Sequence, residues 1–370
     1  MNSPNHEIFI SCPIGFESLQ LKEIIDLTQH FEIKNFSAAQ NLGGITIECE
    51  DYNFLQIIPF LKISTRALYR VGEFKVRDFP KLFNKIKKFA WSDILFQDKF
   101  EIKVSLKESR LIHSDRTKKT ITDGIETWLK GNPRKKIKKT PLPEQILFFH
   151  LQNDVCVVSI DLGGGPLYKR ATRNLEAIAP IRENLAAGMI KFTLAHLDVK
   201  NVKILVDPMC GSGTFIEEAL KLNLPSHLNF AYPCIPKIKI NPTEKASAST
   251  NLQSIIGIEK NNYLNENFLP EFSKQITYLS GDFKDHLKDI PPNALFIFNP
   301  PYGKRIKIKG SLTEYYHQII KDILTTSPLA IGLIIPEEIN LKTPKNFKRD
   351  ELHFKNGGLR VKYILFYQID

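Results

Sequence analysis

The sequence predicts an α/β protein, with a doubly wound parallel sheet and a closing β-hairpin preceded by smaller α+β units. Three observations predict this class. After residue 200, apolar runs alternate with helical stretches, which is the rhythm of a doubly wound sheet. A glycine-containing turn joins the first of these runs to a helix. Before residue 165, short strands alternate with helical patterns instead.

Two α+β units are predicted before the main sheet. Residues 1–60 combine a strand at 7–11, a helical pattern at 15–29 and an alternating strand at 45–48. Residues 61–165 carry further strands and helices. Residues 166–200 read as a connector with a helix after Pro180, a typical first-turn proline. The main sheet is expected in residues 201–370, with a proline-rich surface loop at 225–250.

The charge of the chain favours a polyanionic partner. The net charge is +11 and the pI is near 9.2. Residues 1–173 hold 27 basic and 20 acidic residues, against 24 and 20 in the remainder, so the basicity is concentrated before the main sheet. The run at 130–139 has six positive charges and no acid. A solvated loop is the simpler interpretation of an isolated run.

Further basic side chains in the same part of the chain favour contact with nucleic acid, because lysine and arginine supply the sequence-independent phosphate contacts. The predicted RNA-binding residues are Arg110, Arg116, Lys119, Arg134, Lys135, Lys136, Lys138, Lys139, Lys169 and Arg170.

Cysteine usage and hydropathy indicate the cellular location of the protein. The five cysteines include no C-x-x-C pair and the histidines do not cluster, so neither a disulfide framework nor a metal site is expected. No apolar stretch has the length of a membrane span, and the first residues lack a basic segment followed by an apolar one. We therefore expect a reduced cytoplasmic location.

A candidate cofactor loop follows the first buried strand of the main sheet. Residues 202–206 are apolar and lead into Asp-Pro-Met-Cys-Gly-Ser-Gly-Thr-Phe at 207–215, after which a helix begins. Glycines at such a turn let the backbone approach a ligand, and the helix offers free N–H groups. The pattern lacks the third glycine of the dinucleotide fingerprint. The cofactor residues expected here are Asp207, Pro208, Cys210, Gly211, Gly213 and Thr214.

Two acidic residues follow the next two predicted strands. Glu259 ends the strand at 255–258 and could hold a ribose diol, whereas Asp282, followed by Phe283, could meet an adenine amino group. Each acid alone would more simply be a helix cap or a solvated turn residue. Their shared position at the ends of successive strands on one sheet edge favours a binding role.

Asn299-Pro300-Pro301-Tyr302 follows the apolar run at 293–298, at the carboxyl end of a predicted buried strand. Two prolines stiffen the backbone, and the first forces Asn299 into an extended conformation. The Asn299 amide oxygen and the Pro300 carbonyl could then present two fixed acceptors beside an aromatic ring. Such a site suits a planar group with an NH2, such as a nucleobase. A merely rigid turn is the simpler alternative.

Together these motifs resemble a family. Residues 207–215 and Asn-Pro-Pro-Tyr-Gly-Lys-Arg at 299–305 look like class I S-adenosylmethionine-dependent methyltransferases that act on exocyclic amines. More closely, the chain resembles the THUMP-domain RNA methyltransferases, including the bacterial large-subunit ribosomal RNA guanine-N2 methyltransferases. The similarity extends through Leu-Tyr-Lys-Arg at 167–170, Ala-Pro-Ile-Arg-Glu-Asn-Leu-Ala-Ala at 179–187 and the closing Asn356-Gly357 segment.

The resemblance implies a ferredoxin-like unit, a THUMP RNA-binding unit and a Rossmann-like methyltransferase domain using S-adenosyl-L-methionine. Asp207, Gly211 and Gly213 would line the methionine end of the cofactor, Glu259 its ribose and Asp282 its adenine. Asn299, Pro300 and Tyr302 would contact the target base, and the connector at 180–185 would pack over the cofactor. Two departures stand out: Glu259 replaces a frequent Asp, and Ala171-Thr172 replaces a frequent Gly-Tyr.

Three functions therefore compete at this point. The leading one is methylation of guanine N2 in 23S ribosomal RNA or in tRNA. A DNA adenine-N6 methyltransferase would use the same Asn-Pro-Pro-Tyr acceptors, although the basic units before the main sheet favour RNA. A non-catalytic RNA-binding assembly factor is the third, and the intact motif residues count against it. Neither the modified nucleotide nor the oligomeric state follows from the sequence.

Overall fold

A computed structural model shows two compact units. It describes residues 6–132, 141–170, 181–240, 252–260, 269–302 and 311–368. The first unit contains Met1–Cys12, Leu21–Lys169 and Ser226–Lys245, and the second contains Pro13–Gln20, Arg170–Pro225 and Ala246–Asp370. No helix among the described residues is both long and apolar enough to cross a bilayer.

The first unit is built on one seven-stranded sheet in the order β2-β3-β1-β4-β7-β6-β5. All neighbouring strands are antiparallel except the parallel pair β5 and β6. The strands are β1 His6–Ser11, β2 Phe36–Asn41, β3 Gly44–Cys49, β4 Arg66–Lys75, β5 Glu101–Lys107, β6 Ile146–Gln152 and β7 Val155–Asp161. The helices are α1 Glu17–His30, which begins in the second unit's share of the chain, α2 Phe79–Lys87 and α3 Ser114–Gly131.

Local sequence explains the packing of α2 and α3. The carboxylate of Asp78 caps α2 by accepting a hydrogen bond from the Lys81 backbone amide at 2.8 Å, and Pro80 lies in the first turn. Gly124 of α3 faces α2 so closely that a Cβ there would lie 2.7 Å from Ile86 Cγ2. The two helices can therefore approach each other only because residue 124 has no side chain.

Residues 226–240 differ from the expected surface loop. Phe230, Ala231, Ile235 and Ile238 are buried in the core of the first unit. The backbone amides of Ala231 and Tyr232 both donate hydrogen bonds to the Leu162 carbonyl at 3.0 Å. The segment forms only one turn of 3-10 helix, at Tyr232–Cys234, but its apolar side chains are nevertheless part of the core.

The second unit is a doubly wound sheet in the order β10-β9-β8-β11-β12-β14-β13. Strands β8 to β12 are parallel, whereas β14 runs antiparallel to both β12 and β13. The strands are β8 Ile204–Asp207, β9 Ser254–Glu259, β10 Ile276–Ser280, β11 Leu295–Phe298, β12 Ala330–Pro336, β13 Phe347–Asn356 and β14 Leu359–Gln368. The helices are α4 Glu183–Leu194, α5 Thr214–Leu220 and α6 Leu312–Leu324.

This topology confirms the predicted fold class. All residues of β11 and β12 are buried, as expected for parallel strands covered on both faces. The strand order reverses direction between β8 and β11, and open α/β sheets bind ligands at the carboxyl ends of the strands beside such a point. A ligand-binding site is therefore expected at the loops after β8, β9, β10 and β11.

Candidate functional site

The loop between β8 and α5 has the shape expected of a ligand cradle. Gly211 and Gly213 adopt left-handed backbone conformations, with φ of +51° and +75°. A Cβ placed on Gly211 would meet no described atom within 4 Å, so open space lies above the loop. Because other residues rarely adopt this backbone conformation, the two glycines are required by the turn itself.

Asp207 ends β8 and is 1% exposed. Its Oδ1 accepts a hydrogen bond from the Met209 backbone amide at 3.2 Å. Burial raises the pKa of Asp207 to about 8, the Met209 N–H opposes this shift, and the charge of Glu259 adds to it. A cationic group bound beside this carboxyl would favour its ionised form.

Glu259 at the end of β9 ties this strand to the glycine loop. Its Oε2 accepts a hydrogen bond from the Gly211 backbone amide at 2.8 Å. One residue earlier, the Ile258 carbonyl accepts from the Cys210 amide at 3.0 Å. The glutamate side chain therefore reaches across the edge of two neighbouring parallel strands, as its position in the sequence predicts.

Asp282 follows β10 and caps the short helical turn that begins at Phe283, which is buried. Its carboxylate accepts from the Lys284 amide at 3.1 Å and pairs with Lys260 Nζ at 2.7 Å. Partial burial works against ionisation, but the Lys260 side chain and the Lys284 N–H hold the pKa of Asp282 below its usual value. Asp282 is thus a helix cap that keeps its charge at this edge.

Asn299 follows β11, and its Oδ1 is buried without a hydrogen-bond partner among the described residues. A buried acceptor left unpaired costs about 1–3 kcal/mol. An N–H donor on a bound ligand would remove this cost. The acceptor role of Asn299 stays a prediction, which this oxygen is placed to fulfil.

The rest of this loop is held from two sides. The Pro301 carbonyl accepts a hydrogen bond from the Tyr316 hydroxyl of α6 at 3.4 Å. The Tyr302 hydroxyl accepts one from Asn356 Nδ2, at the end of β13, at 2.7 Å. Neither Tyr316 nor Asn356 was singled out as a site residue from sequence, although the Asn356-Gly357 turn was.

The connector helix α4 lies in the same unit as these loops. Glu183, Asn184 and Leu185 are buried in its first turn. Pro180 lies outside the described residues. Among the described residues, no group of three or more His, Cys, Asp or Glu side chains could hold a metal ion.

Nine of the ten predicted RNA-binding residues fall into three groups. Lys119 and Lys169 are exposed, as is Arg116, whose guanidinium lies 4.2 Å from the Phe79 ring centroid. Arg110 is exposed but lies 3.5 Å from the Asp154 carboxylate. Arg134, Lys135, Lys136, Lys138 and Lys139 lie outside the described residues.

The structure corrects the expectation for Arg170. Its side chain is 6% exposed and forms two hydrogen bonds with the buried carboxylate of Glu218 on α5, at 3.2 and 2.6 Å. Two planar groups paired in this way satisfy each other's charge away from water. Arg170 therefore supports the helix that follows the glycine loop and does not face RNA.

The sequence patterns considered above did not identify a basic surface formed by α2 and its C-cap residue, Lys88. Lys81, Lys85, Lys87 and Lys88 are all exposed, and no acid lies between residues 79 and 90. Lys81, Lys85 and Lys88 are spaced to share one helix face, and this spacing was the available signal. Arg116 on α3 contacts Phe79 at the start of the same helix.

Comparison with known protein families gives two matches. Residues 76–161 match the THUMP domain, and residues 170–343 match the methyltransferase domain described as UPF0020, RMKL-like. Among curated relatives, proteins named ribosomal RNA large subunit methyltransferase K/L are similar. That of Buchnera aphidicola is 24% identical over 343 residues, with 85% of this chain and 47% of the relative covered. That of Acinetobacter baumannii (strain AYE) is 25% identical, with 98% and 53% covered. The chain thus spans about half the length of these relatives.

Solved structures share the fold across the chain. SMU.472 is described as a methyltransferase and was crystallised in complex with SAH. Its structure superimposes on this chain with a TM-score of 0.77 at 20% identity, covering 99% of each chain. TrmN from Thermus thermophilus gives a TM-score of 0.66 at 14% identity, covering 98% of this chain and 100% of TrmN.

Proposed function

We propose that this chain, which carries a THUMP domain followed by an RMKL-like methyltransferase domain, methylates an exocyclic amine of an RNA base, using S-adenosyl-L-methionine. The favoured substrate is guanine N2 in 23S ribosomal RNA, with tRNA as the second choice. The names of the curated relatives support ribosomal RNA, and the basic side chains of the first unit support an RNA partner.

The described residues fit this cofactor. The open space over Gly211 leaves room for the methionine end, and the buried Asp207 carboxyl is a counter-charge for its ammonium group. Glu259 would hold the ribose hydroxyls with its carboxylate, and Asp282 would accept from the adenine amine. When bound, S-adenosylmethionine supplies an electrophilic methyl group on a sulfonium sulfur.

The observation that carries the proposal is the buried Oδ1 of Asn299, for which the described part of the chain offers no hydrogen-bond partner. An exocyclic base amine is a poor nucleophile because its lone pair is delocalised into the ring. Accepting its two N–H bonds at Asn299 Oδ1 and the Pro300 carbonyl favours a pyramidal nitrogen, whose lone pair is then free for in-line attack. The chain's contribution is positioning and electrostatics.

Tyr302 would stack on the target base. Enzymes that modify base atoms act on nucleotides that are turned out of a helix or already unpaired, and aromatic rings hold such bases. The methyl transfer leaves a proton on the amine nitrogen, which passes to solvent or to an acceptor near Asn299.

The test is in vitro methylation of deproteinised large-subunit rRNA with isotopically labelled cofactor, followed by nucleoside mass spectrometry. N2-methylguanosine is the expected product. A parallel reaction on DNA that gives N6-methyl-2′-deoxyadenosine would favour the adenine-specific alternative. If calorimetry detects no cofactor binding, both methyltransferase hypotheses are excluded. The non-catalytic RNA-binding assembly factor is then the hypothesis that is left.

Asn299→Ala provides the internal control. We expect it to abolish methylation while RNA affinity stays close to that of the wild type. Equal loss of both properties would contradict the role given to Asn299. Mass spectrometry of rRNA and tRNA from a strain lacking this protein would then identify the modified nucleotide.

A further inference from the structure

The tip of the β13–β14 hairpin contacts the loop that follows β11. Asn356 is the last residue of β13 and faces Leu359 across a turn in which Gly357 and Gly358 have φ of +55° and +86°. Its Nδ2 donates a hydrogen bond to the Tyr302 hydroxyl at 2.7 Å. This contact joins two residues 54 positions apart, and it places the hairpin tip beside the predicted base site.

A second contact holds the backbone of the same loop. The Tyr316 hydroxyl donates to the Pro301 carbonyl at 3.4 Å, and Tyr316 is fully buried on α6. Proline at positions 300 and 301 also limits the backbone. The backbone therefore has supports of its own, and the contact made by Asn356 acts on the Tyr302 side chain.

We propose that Asn356 is a positioning residue that fixes the orientation of the Tyr302 ring for stacking on the target base. The inference rests on the proposed function of the site and adds Asn356 to it. A stacked base requires the ring to lie in one place, and a hydrogen bond to the hydroxyl at its far end holds the direction in which the ring points. Losing this bond lets the ring sample other orientations, so fewer bound complexes hold the amine in line with the methyl group.

This mechanism predicts a particular kinetic change. Asn356→Ala should lower kcat about three- to tenfold, which corresponds to one net hydrogen bond. The KM for RNA should change little, because phosphate contacts elsewhere supply most of the affinity. Cofactor affinity, measured by calorimetry, should be unchanged.

A double-mutant cycle separates positioning from simple support of the hairpin. Tyr302→Phe keeps the ring and removes only the hydroxyl, so it should lower kcat to the same extent as Asn356→Ala. Combining the two changes should cost no more than either alone. Leu359→Ala is the matched control, since Leu359 faces Asn356 at the same tip and is 52% exposed. It should leave kcat unchanged.

Additive losses in the double variant would overturn the inference, because Asn356 would then act independently of the Tyr302 hydroxyl. An unchanged kcat in Asn356→Ala would overturn it as well.

A readout that does not require activity separates this inference from the proposed function. In protein labelled with 13C at tyrosine Cζ, the Tyr302 resonance is assigned by its loss in Tyr302→Phe. Asn356→Ala should shift that resonance and Leu359→Ala should not. An unchanged Tyr302 chemical shift in Asn356→Ala would show that the contact is absent and would contradict the inference. A shifted resonance in a protein that methylates no RNA shows instead that the proposed function has failed, and the positioning role falls with it.

Discussion

The carboxylate of Glu259 accepts a hydrogen bond from the backbone amide of Gly211 at 2.8 Å, although 48 residues separate them. Gly211 lies in the loop after β8 and Glu259 ends β9, and these two strands are parallel neighbours whose carboxyl ends meet at one edge. The glutamate therefore closes the glycine loop, and its carboxylate lies at the proposed cofactor site. An aspartate at position 259 has one methylene group less, so from the same backbone position its carboxylate would reach less far towards the Gly211 amide.

Glu259→Ala is expected to weaken binding of S-adenosylmethionine about 10- to 100-fold, because hydrogen bonds to a charged group are lost. Glu259→Gln keeps an acceptor for the Gly211 amide but has no charge, so its affinity should lie between those of the wild type and the alanine variant. Calorimetric titration measures all three. Asp289→Ala, at an acid whose side chain is 71% exposed, is the control. Equal affinities for wild type and Glu259→Ala would exclude the ribose role.

Arg170→Ala should destabilise the second unit by about 3–5 kcal/mol, because it leaves the buried charge of Glu218 without a partner. Removing both charges, in Arg170→Ala with Glu218→Ala, should recover part of this loss. Urea unfolding followed by far-UV circular dichroism measures the change in the free energy of unfolding. Lys169→Ala, at the exposed neighbour, should have little effect on stability. A normal unfolding midpoint with weakened RNA binding in Arg170→Ala would return Arg170 to the RNA-facing role.

The stability of the cofactor-free protein should depend on pH through Asp207. Its pKa is about 8 in the fold and 3.8 in the unfolded chain, so the fold favours the neutral carboxyl. The stability contributed by this neutral group is complete below pH 3.8, declines as the pH rises and is lost above about pH 8.

Asp207→Asn stays neutral and can still accept from the Met209 amide. Its unfolding temperature should therefore exceed that of the wild type at pH 8.5, by a margin that shrinks towards pH 4. Scanning calorimetry at several pH values measures the margin. Asp198→Asn, at an exposed carboxylate that also accepts a backbone N–H, should show no such trend. A margin that is constant with pH would refute the assignment.

The exposed lysines of α2 should contribute to RNA affinity. Changing Lys81, Lys85 and Lys88 together to alanine should reduce the slope of log K against log salt concentration by about two to three, if each contacts one phosphate. Fluorescence anisotropy with an rRNA fragment over a range of salt concentrations gives the slope. Replacing the exposed Lys22, Lys200 and Lys274 alters the net charge equally and serves as the control. Equal slopes in the two triple variants would show that net charge, and not this helix face, governs binding.

Local patterns in the sequence predicted most secondary-structure elements, because their causes are local. Period-two and period-3.6 burial, the Asp78 cap and the proline positions depend on neighbouring residues only. Strand β2 was missed, since its side chains are mostly exposed and carry no apolar alternation. The burial of residues 226–240 was also missed, because irregular segments show no periodicity even when their apolar side chains join a core.

The sequence by itself determined which side chains lie at this edge of the sheet. Asp207 and Glu259 end β8 and β9, whereas the two glycines, Asp282 and Asn299 follow β8, β10 and β11, and parallel strands bring their carboxyl ends to one edge. Only the tertiary structure decided which partners these groups have. The pairs Arg170–Glu218 and Tyr302–Asn356 join residues 48 and 54 positions apart, through a buried helix and the end of an antiparallel hairpin. Such contacts depend on how whole elements pack, and no spacing along the chain encodes them.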